Sequence, residues 1–196
     1  MGPFADRPLA EIVESVAARD PTPGAGPSLA WTCALAAALV EMVSAVSLRQ
    51  DPASPEALEA RRERAHALRL TALSLADLDA AAYGDVLAVQ RRREEAGHAQ
   101  RLRRALADAA DPLVRIIETA REVAELAAGA VPDARGGVRG EAMTAAVLAE
   151  GVARGGVPLV ELNLAGDPED PRRELVREAA AAAAAALQRA LGPRTA

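Results

Sequence analysis

Lysine is absent from this chain of 196 residues, so all 23 of its residues that are lysine or arginine are arginines. A coding bias towards arginine explains this pattern. Selection for planar, bidentate contacts to anions, which arginine makes and lysine does not, is the alternative. The composition leaves both explanations open.

Aromatic residues make up only 2% of the chain, although 51% of it is hydrophobic. The core must therefore consist of Ala, Leu and Val, whose small side chains each bury little area and require close approach of the backbones. Alanine is the strongest helix former, and leucine and arginine follow closely. The composition predicts an all-α, single-domain helical bundle that spans residues 1–196.

Further scarcities exclude several classes of protein. Cys33 is the only cysteine, so there is no disulfide framework and a reducing cytoplasmic location is expected. His66 and His98 have no partners at metal-ligand spacing, which argues against a metal site. A net charge of −5 argues against nucleic acid as a partner. The most apolar run, residues 29–40, is shorter than the roughly 20 residues that span a bilayer, so no membrane contact is expected.

The hydrophobic pattern of the first half predicts three helices. Apolar residues at positions 9, 12, 13 and 16 form one stripe of a first helix that ends before the two prolines of residues 20–23. Ser28 is the predicted N-cap of a second, Ala-rich helix that is apolar nearly all round and should be buried. Ser54 and Pro55 begin a long central helix that reaches about Arg93.

The second half is interrupted more often. A break is predicted near Gly97, and Pro112 should restart or kink the helix that follows. Residues 131–137 have the composition of a loop and precede a helix over 141–154. The segment 155–158, with two glycines and a proline, should end that helix, and residues 159–164 fit either a short strand or a helical turn. Asp167 and Pro168 are predicted to open the last helix, which contains eight consecutive alanines.

Three segments, in order along the chain, resemble one known family. Residues 21–26 (PTPGAG) are similar to the Pro-Thr-Pro-Gly-Gly-Gly signature of the cyclodeaminase/cyclohydrolase family. Residues 77–83 (DLDAAAY) resemble its acid-x-Asp-Ala-x-Ala-Phe segment, and residues 145–164 resemble its late helix with an asparagine-containing end. This family includes methenyltetrahydrofolate cyclohydrolases and the cyclodeaminase half of formiminotransferase-cyclodeaminase. The resemblance covers about residues 5–190.

The resemblance implies an enzyme of folate one-carbon metabolism that needs no cofactor and takes a tetrahydrofolate derivative as its substrate. It would hydrolyse 5,10-methenyltetrahydrofolate to 10-formyltetrahydrofolate, or deaminate 5-formiminotetrahydrofolate. Asp79 is then the expected catalytic carboxylate and Glu141 the second candidate. The implied substrate-binding residues are Pro23, Gly24, Gly26, Arg49, Tyr83, Arg91 and Asn163, with the two arginines near the glutamate tail or the pterin. A homodimer is expected, partly because the family forms one.

The sequence also departs from the family pattern. Pro27 replaces a serine after the glycines, Gly140 replaces another serine before the late helix, and Leu159 replaces the first of two closing asparagines. An alternative is therefore a catalytically degenerate member that serves as a folate-binding or assembly module. A third hypothesis, an unrelated helical adaptor, predicts no cavity beside Gly24 and Asp79.

Overall fold

The computed structural model describes residues 3–50, 53–134 and 137–192, and every regular element within these ranges is a helix. A short 3₁₀ turn, Phe4–Asp6, precedes the first α-helix. The six α-helices are α1 (Leu9–Ala17), α2 (Ala25–Leu48), α3 (Pro55–Gln90), α4 (His98–Ala130), α5 (Arg139–Asn163) and α6 (Arg172–Leu191). The predicted all-α bundle with a long central helix is confirmed, because α3 has 36 residues.

Helices α2 to α5 form the bundle, and α6 packs against α4 and α5. Their directions alternate, since short connections join each helix to the next. Arg61, near the start of α3, reaches Asp133, just past the end of α4, at 2.7 Å. The start of α2, the end of α3, the start of α4 and the end of α5 consequently meet at the other end of the bundle.

Small aliphatic side chains build the core, as the composition predicts. Its largest fully buried side chains include Leu75, Ile116, Ile117 and Leu164, and no aromatic side chain of the described residues is fully buried. Helix α2 is only partly enclosed, which corrects the expectation of a wholly buried second helix. Its Leu35 is 58% exposed.

The start of α2 also differs from the prediction. The helix begins at Ala25 with Gly24 as its N-cap, not at Ser28. Pro27 lies in the first turn, where a backbone N–H has no acceptor within the helix, so the proline is accommodated there at no loss of a helical hydrogen bond. The Ser28 hydroxyl instead donates to the Gly24 carbonyl at 2.8 Å.

The predicted break at residues 155–158 is wrong, because α5 continues through it to Asn163. Gly156 is buried where α5 crosses α4, and a Cβ there would lie 2.6 Å from Ile117 Cγ1. The glycine therefore permits close packing of two helices and does not end one. Helix α4 likewise continues through Pro112. Five residues before Pro112, the Ala107 carbonyl accepts a hydrogen bond from the Arg172 side chain at 2.8 Å.

Helices α2 and α5 are long and apolar enough to cross a membrane by length and composition. This is weak evidence for a membrane protein, because buried core helices meet the same criteria and both helices contribute to the bundle core. The cytoplasmic location expected from the sequence stays a prediction.

Candidate active site

A cavity of about 400 Å³ opens at the end of the bundle where α2 begins and α3 ends. This volume lies within the range of small-molecule sites. Four helices and the loop before α2 supply its walls. The lining residues are Pro21, Thr22, Gly24, Ala25, Gly26, Pro27, Asp79, Ala80, Tyr83, Gln90, Leu106, Ala109, Leu113, Leu159, Leu162 and Asn163.

Asp79 is the central polar group of this cavity. Its side chain is 8% exposed, and burial raises the pKa of its carboxyl group from 3.8 to about 6. Within residues 3–50, 53–134 and 137–192, no hydrogen bond or ion pair satisfies this carboxylate. A buried carboxylate without a protein partner is uncommon and calls for an explanation. Its proton-accepting oxygens are available to a bound molecule.

Gly26 makes the position of Asp79 possible. A Cβ at residue 26 would overlap all three terminal atoms of the Asp79 carboxyl group. The first turn of α2 and the last third of α3 therefore approach so closely that only glycine fits between them. The sequence motif that contains Gly26 thus shapes the surroundings of the carboxylate.

The neighbouring acid, Asp77, has a different role. Its Oδ1 accepts a hydrogen bond from the backbone N–H of Phe4 at 3.0 Å. The Phe4 ring packs edge-on against Trp31 with 5.2 Å between the ring centroids, and the Arg7 guanidinium lies 5.8 Å from the Phe4 ring centroid. These contacts hold the N-terminal segment on α2 and α3, from which the chain leads to the loop at Pro21 and Thr22.

The structure brings five of the predicted site residues to the cavity: Gly24, Gly26, Asp79, Tyr83 and Asn163. Tyr83 follows Asp79 by one turn on the same face of α3. Pro23 is buried in the loop next to the lining Thr22 and Gly24, although it does not line the cavity itself.

Two predicted residues lie away from this cavity within the chain. Arg49 caps the far end of α2, and Glu141 lies in the first turn of α5. Each is separated from the nearest lining residue of its own helix by most of that helix, roughly 27 to 33 Å at 1.5 Å per residue. Alternation of helix direction is the physical reason, since it places the end of α2 and the start of α5 together at the opposite end of the bundle.

Arg91 has an intermediate position. It follows the lining Gln90 directly at the end of α3 and is exposed, and it does not itself line the cavity. It therefore belongs to the surface beside the mouth.

The α4 wall was missed by sequence reasoning. Leu106, Ala109 and Leu113 line the cavity at helical spacing, but such a stripe is indistinguishable from core packing in the sequence. Leu159, the position at which the resemblance expects an asparagine, also lines the cavity and makes that wall apolar.

The charged side chain that lines the cavity is negative. Among the described residues that line the cavity, Asp79 is the only acidic side chain and there is no arginine or histidine. The interior is therefore complementary to a cationic or proton-donating group. Within the described part of the chain, no group of three His, Cys, Asp or Glu side chains could hold a metal ion.

Comparison with known proteins gives a family match and matches to solved structures. A family described as Formiminotransferase-cyclodeaminase matches residues 8–182. The structure is similar to that of formiminotetrahydrofolate cyclodeaminase from Thermotoga maritima, with a TM-score of 0.84 and 25% sequence identity over 95% of this chain and 94% of the other. No curated protein matches the chain significantly.

Proposed function

The chain belongs to the formiminotransferase-cyclodeaminase family, and on that premise we propose that it releases ammonia from 5-formiminotetrahydrofolate to form 5,10-methenyltetrahydrofolate. The observation that carries this proposal is the buried carboxylate of Asp79 on the wall of the cavity, which has no hydrogen-bond or ion-pair partner among the described residues. Its pKa of about 6 lies close to neutral pH, where one group can both accept and donate a proton efficiently.

The reaction needs one proton to move between two nitrogens. N10 of the folate attacks the carbon of the protonated formimino group, a C–N bond forms as the C=N π pair moves to the amino nitrogen, and the N10 proton passes to the Asp79 carboxylate. The protonated carboxyl group then donates this proton to the amino nitrogen, whose bond to the carbon breaks as ammonia leaves. Asp79 returns to its starting state, and no redox partner is required.

The charge of the cavity suits this chemistry. The methenyl product is a cationic amidinium, and positive charge is shared over the reacting atoms throughout the reaction. A carboxylate in an apolar enclosure stabilises such a cation more strongly than it would in water. Leu106, Leu113 and Leu159 supply that apolar enclosure.

Hydrolysis of methenyltetrahydrofolate is the second candidate reaction, because the same carboxylate could take a proton from water that attacks the amidinium carbon. Ammonia release is preferred because the similar structure from Thermotoga maritima is named for that reaction.

The catalytically degenerate alternative rested on Pro27 and Gly140. Pro27 lies in the first turn of α2 and so removes no helical hydrogen bond, although it does line the cavity. Gly140 lies in the first turn of α5, at the end of the bundle away from the cavity. The position of Gly140 therefore weakens this alternative, and Pro27 by itself leaves the Asp79 carboxylate accessible.

The purified full-length chain should accelerate ammonia release and the appearance of methenyltetrahydrofolate absorbance from 5-formiminotetrahydrofolate. We expect kcat/KM to rise about tenfold per pH unit below pH 6 and to level off above it, because the base must be unprotonated in the free enzyme. The measurement is a spectrophotometric assay between pH 5 and 8, corrected for the rate in buffer.

The same assay separates the alternatives. Acceleration only of methenyltetrahydrofolate decay would replace ammonia release by hydrolysis. No acceleration of either reaction, with folate binding retained in calorimetry, would support the degenerate module, and loss of binding as well would overturn the folate function.

We also propose that the protein is a homodimer. A partly exposed apolar stripe on α2, with spacings of four, four and three residues, consists of Trp31, Leu35, Leu39 and Met42. Helix α1 has nine residues and one buried side chain, Ile12, while its Leu9 is 69% exposed. Helices this short are marginal in water by themselves, so a second copy of the chain is the expected cover for these surfaces.

Light scattering coupled to size-exclusion chromatography should give twice the mass of the chain at micromolar concentration. The Leu35→Glu variant is expected to be monomeric, because it buries a charge in the interface. Leu70→Glu, at a 50% exposed position on α3, is the matched control. A monomeric wild-type protein would refute the dimer.

A further inference from the structure

We infer that the Tyr83 hydroxyl is the specificity-determining contact for the one-carbon group of the substrate, an inference that rests on the proposed folate chemistry. A formimino group ends in a nitrogen that carries N–H bonds. A tyrosine hydroxyl can accept a hydrogen bond from such a group, and it can also donate one to a lone pair. Tyr83 is the only tyrosine of the chain, and it lines the same cavity as Asp79.

The position of Tyr83 on α3 directs its ring towards Asp79. Four residues separate the two positions, and residues at this helical spacing have Cβ atoms about 5 to 6 Å apart. Helical side chains lean towards the N-terminus of their helix, which for Tyr83 is the direction of Asp79. Both side chains line the cavity, so the hydroxyl and the carboxylate border the same part of it.

The Tyr83 hydroxyl is not used by the protein itself. None of the described residues, Asp79 included, forms a hydrogen bond with it. Tyr83 is partly buried, and the hydroxyl of a buried tyrosine usually has a hydrogen-bond partner. A molecule bound between the hydroxyl and the carboxylate would supply a partner to both groups.

Among the polar residues of the lining, Tyr83 is the one that lies next to Asp79 along its helix. Gln90 is at the exposed end of α3, eleven residues beyond Asp79 and so about 16 Å along the helix axis. Thr22 and Asn163 belong to the loop before α2 and to the end of α5. The spacing on one helix therefore fixes the hydroxyl of Tyr83 beside the carboxylate.

The sequence departs from the family pattern at two facing elements of the cavity. Helix α5 presents Leu159 where the resemblance expects an asparagine, and α3 presents Tyr83 where the matching segment ends in phenylalanine. One polar group is thus lost from the lining and another is gained. The hydroxyl is a feature of this chain and not of the segment that it resembles.

A contact with Tyr83 has a defined use in ammonia release. The amino nitrogen takes the proton of Asp79 and acquires positive charge as its bond to carbon breaks. A hydroxyl oxygen beside this nitrogen accepts one of its N–H groups, and the hydrogen bond strengthens as the charge develops. A methyl group has no atom for such a contact. Tyr83 should therefore favour formimino and formyl groups over a methyl group.

The test compares Tyr83→Phe with Thr71→Val in the full-length protein. Phenylalanine keeps the ring and removes only the hydroxyl. Thr71 is the matched control, because its hydroxyl also lies on α3 but donates to the Ala67 carbonyl at 3.0 Å and does not line the cavity. Calorimetry with 5-formyltetrahydrofolate and 5-methyltetrahydrofolate measures binding without ammonia release, since neither compound has an amino group on its one-carbon unit.

For Tyr83→Phe we expect the affinity for 5-formyltetrahydrofolate to fall about tenfold, the effect of losing one hydrogen bond. The affinity for 5-methyltetrahydrofolate should equal that of the wild type. The kcat for ammonia release from 5-formiminotetrahydrofolate should also fall about tenfold, while kcat/KM still levels off above pH 6 because Asp79 is retained. Thr71→Val should match the wild type in all these measurements.

Equal affinity changes for the two compounds, or no change for either, would overturn the inference, because the hydroxyl would then make no contact with the one-carbon group. A kcat of Tyr83→Phe within twofold of the wild type would overturn it as well. Failure of the proposed reaction looks different: the wild-type protein would bind both compounds without releasing ammonia, and the affinities alone would decide the role of Tyr83. A wild-type protein that binds neither compound would refute both the folate function and the inference.

Discussion

The Asp79→Asn variant is expected to turn over 5-formiminotetrahydrofolate about 10² to 10⁴ times more slowly than the wild-type protein, the range typical for loss of a general acid–base group. Asparagine preserves the size of the side chain, but it can neither accept nor donate the transferred proton at neutral pH. The cavity, its apolar walls and the contact with Gly26 remain. The loss should therefore appear in kcat.

Asp77→Asn is the matched control for this experiment. Asp77 is two residues away on α3 and uses an oxygen to accept the Phe4 N–H, which an asparagine oxygen can also do. Its activity should stay within a few-fold of the wild type. Equal effects of the two substitutions would contradict the assignment of Asp79 as the catalytic carboxylate.

Asp79→Asn should also make the protein more stable at neutral pH. The pKa of Asp79 is raised from 3.8 to about 6 by burial, so the folded state binds a proton that the unfolded state has already released. The folded state is more stable when this carboxyl group is protonated than when it is ionised. This stabilisation is complete below pH 4, decreases as the pH rises towards 6, and is absent above pH 6. The asparagine avoids this cost and should raise the free energy of unfolding at pH 7 by about 1 to 3 kcal/mol.

Urea denaturation at pH 4.5 and pH 7.5 measures this effect. The gain from Asp79→Asn should be clear at pH 7.5 and smaller at pH 4.5, where Asp79 is itself protonated. A gain of the same size at both pH values would show that desolvation of the charged carboxylate is not its cause.

Gly26→Ala is expected to reduce kcat by about two orders of magnitude, because the new methyl group occupies the space of the Asp79 carboxyl group. Asp79 must turn away or α3 must shift, and either movement misplaces the proton-transferring oxygens. The overpacking should also lower the free energy of unfolding by about 1 to 3 kcal/mol. Steady-state kinetics and urea denaturation report the two effects.

A double-mutant cycle tests the cause of this loss. Combined with Asp79→Ala, which removes the overlapping carboxyl group, Gly26→Ala should cost little stability. Gly84→Ala, on α3 with nothing within 4 Å of the added Cβ, is the control, and it should stabilise the helix by about 0.5 to 1 kcal/mol. If Gly26→Ala retains wild-type kcat, the glycine does not position Asp79.

The helices could be predicted well because local signals agreed with one another. Helix α3 begins at Pro55 after Ser54, as its start signals indicate. The prediction failed at residues 155–158 because a glycine can end a helix or allow another helix to approach, and the sequence does not distinguish these two uses. In this protein Gly156 contacts Ile117, so the glycine allows α5 to approach α4.

The candidate site could be predicted only in part. The short motifs around Gly24, Gly26 and Asp79 indicated the right helix ends, and the structure brings these residues to one cavity. Arg49 and Glu141 lie far from the cavity of their own chain, a distance that the sequence does not give because it depends on the direction of α2 and α5. The stripe Leu106, Ala109 and Leu113 was missed because an apolar lining and an apolar core have the same pattern.

The amino-acid sequence by itself determined that the chain is helical and that its helices pack closely, since alanine favours the helix and leaves little side-chain volume between backbones. Tertiary structure alone decided which helix ends meet, and hence that Asp79 faces a cavity while Asp77 holds the N-terminal segment. It also decided the proton affinity of Asp79. The physical reason is that desolvation depends on everything packed around a carboxyl group, much of which comes from distant parts of the chain.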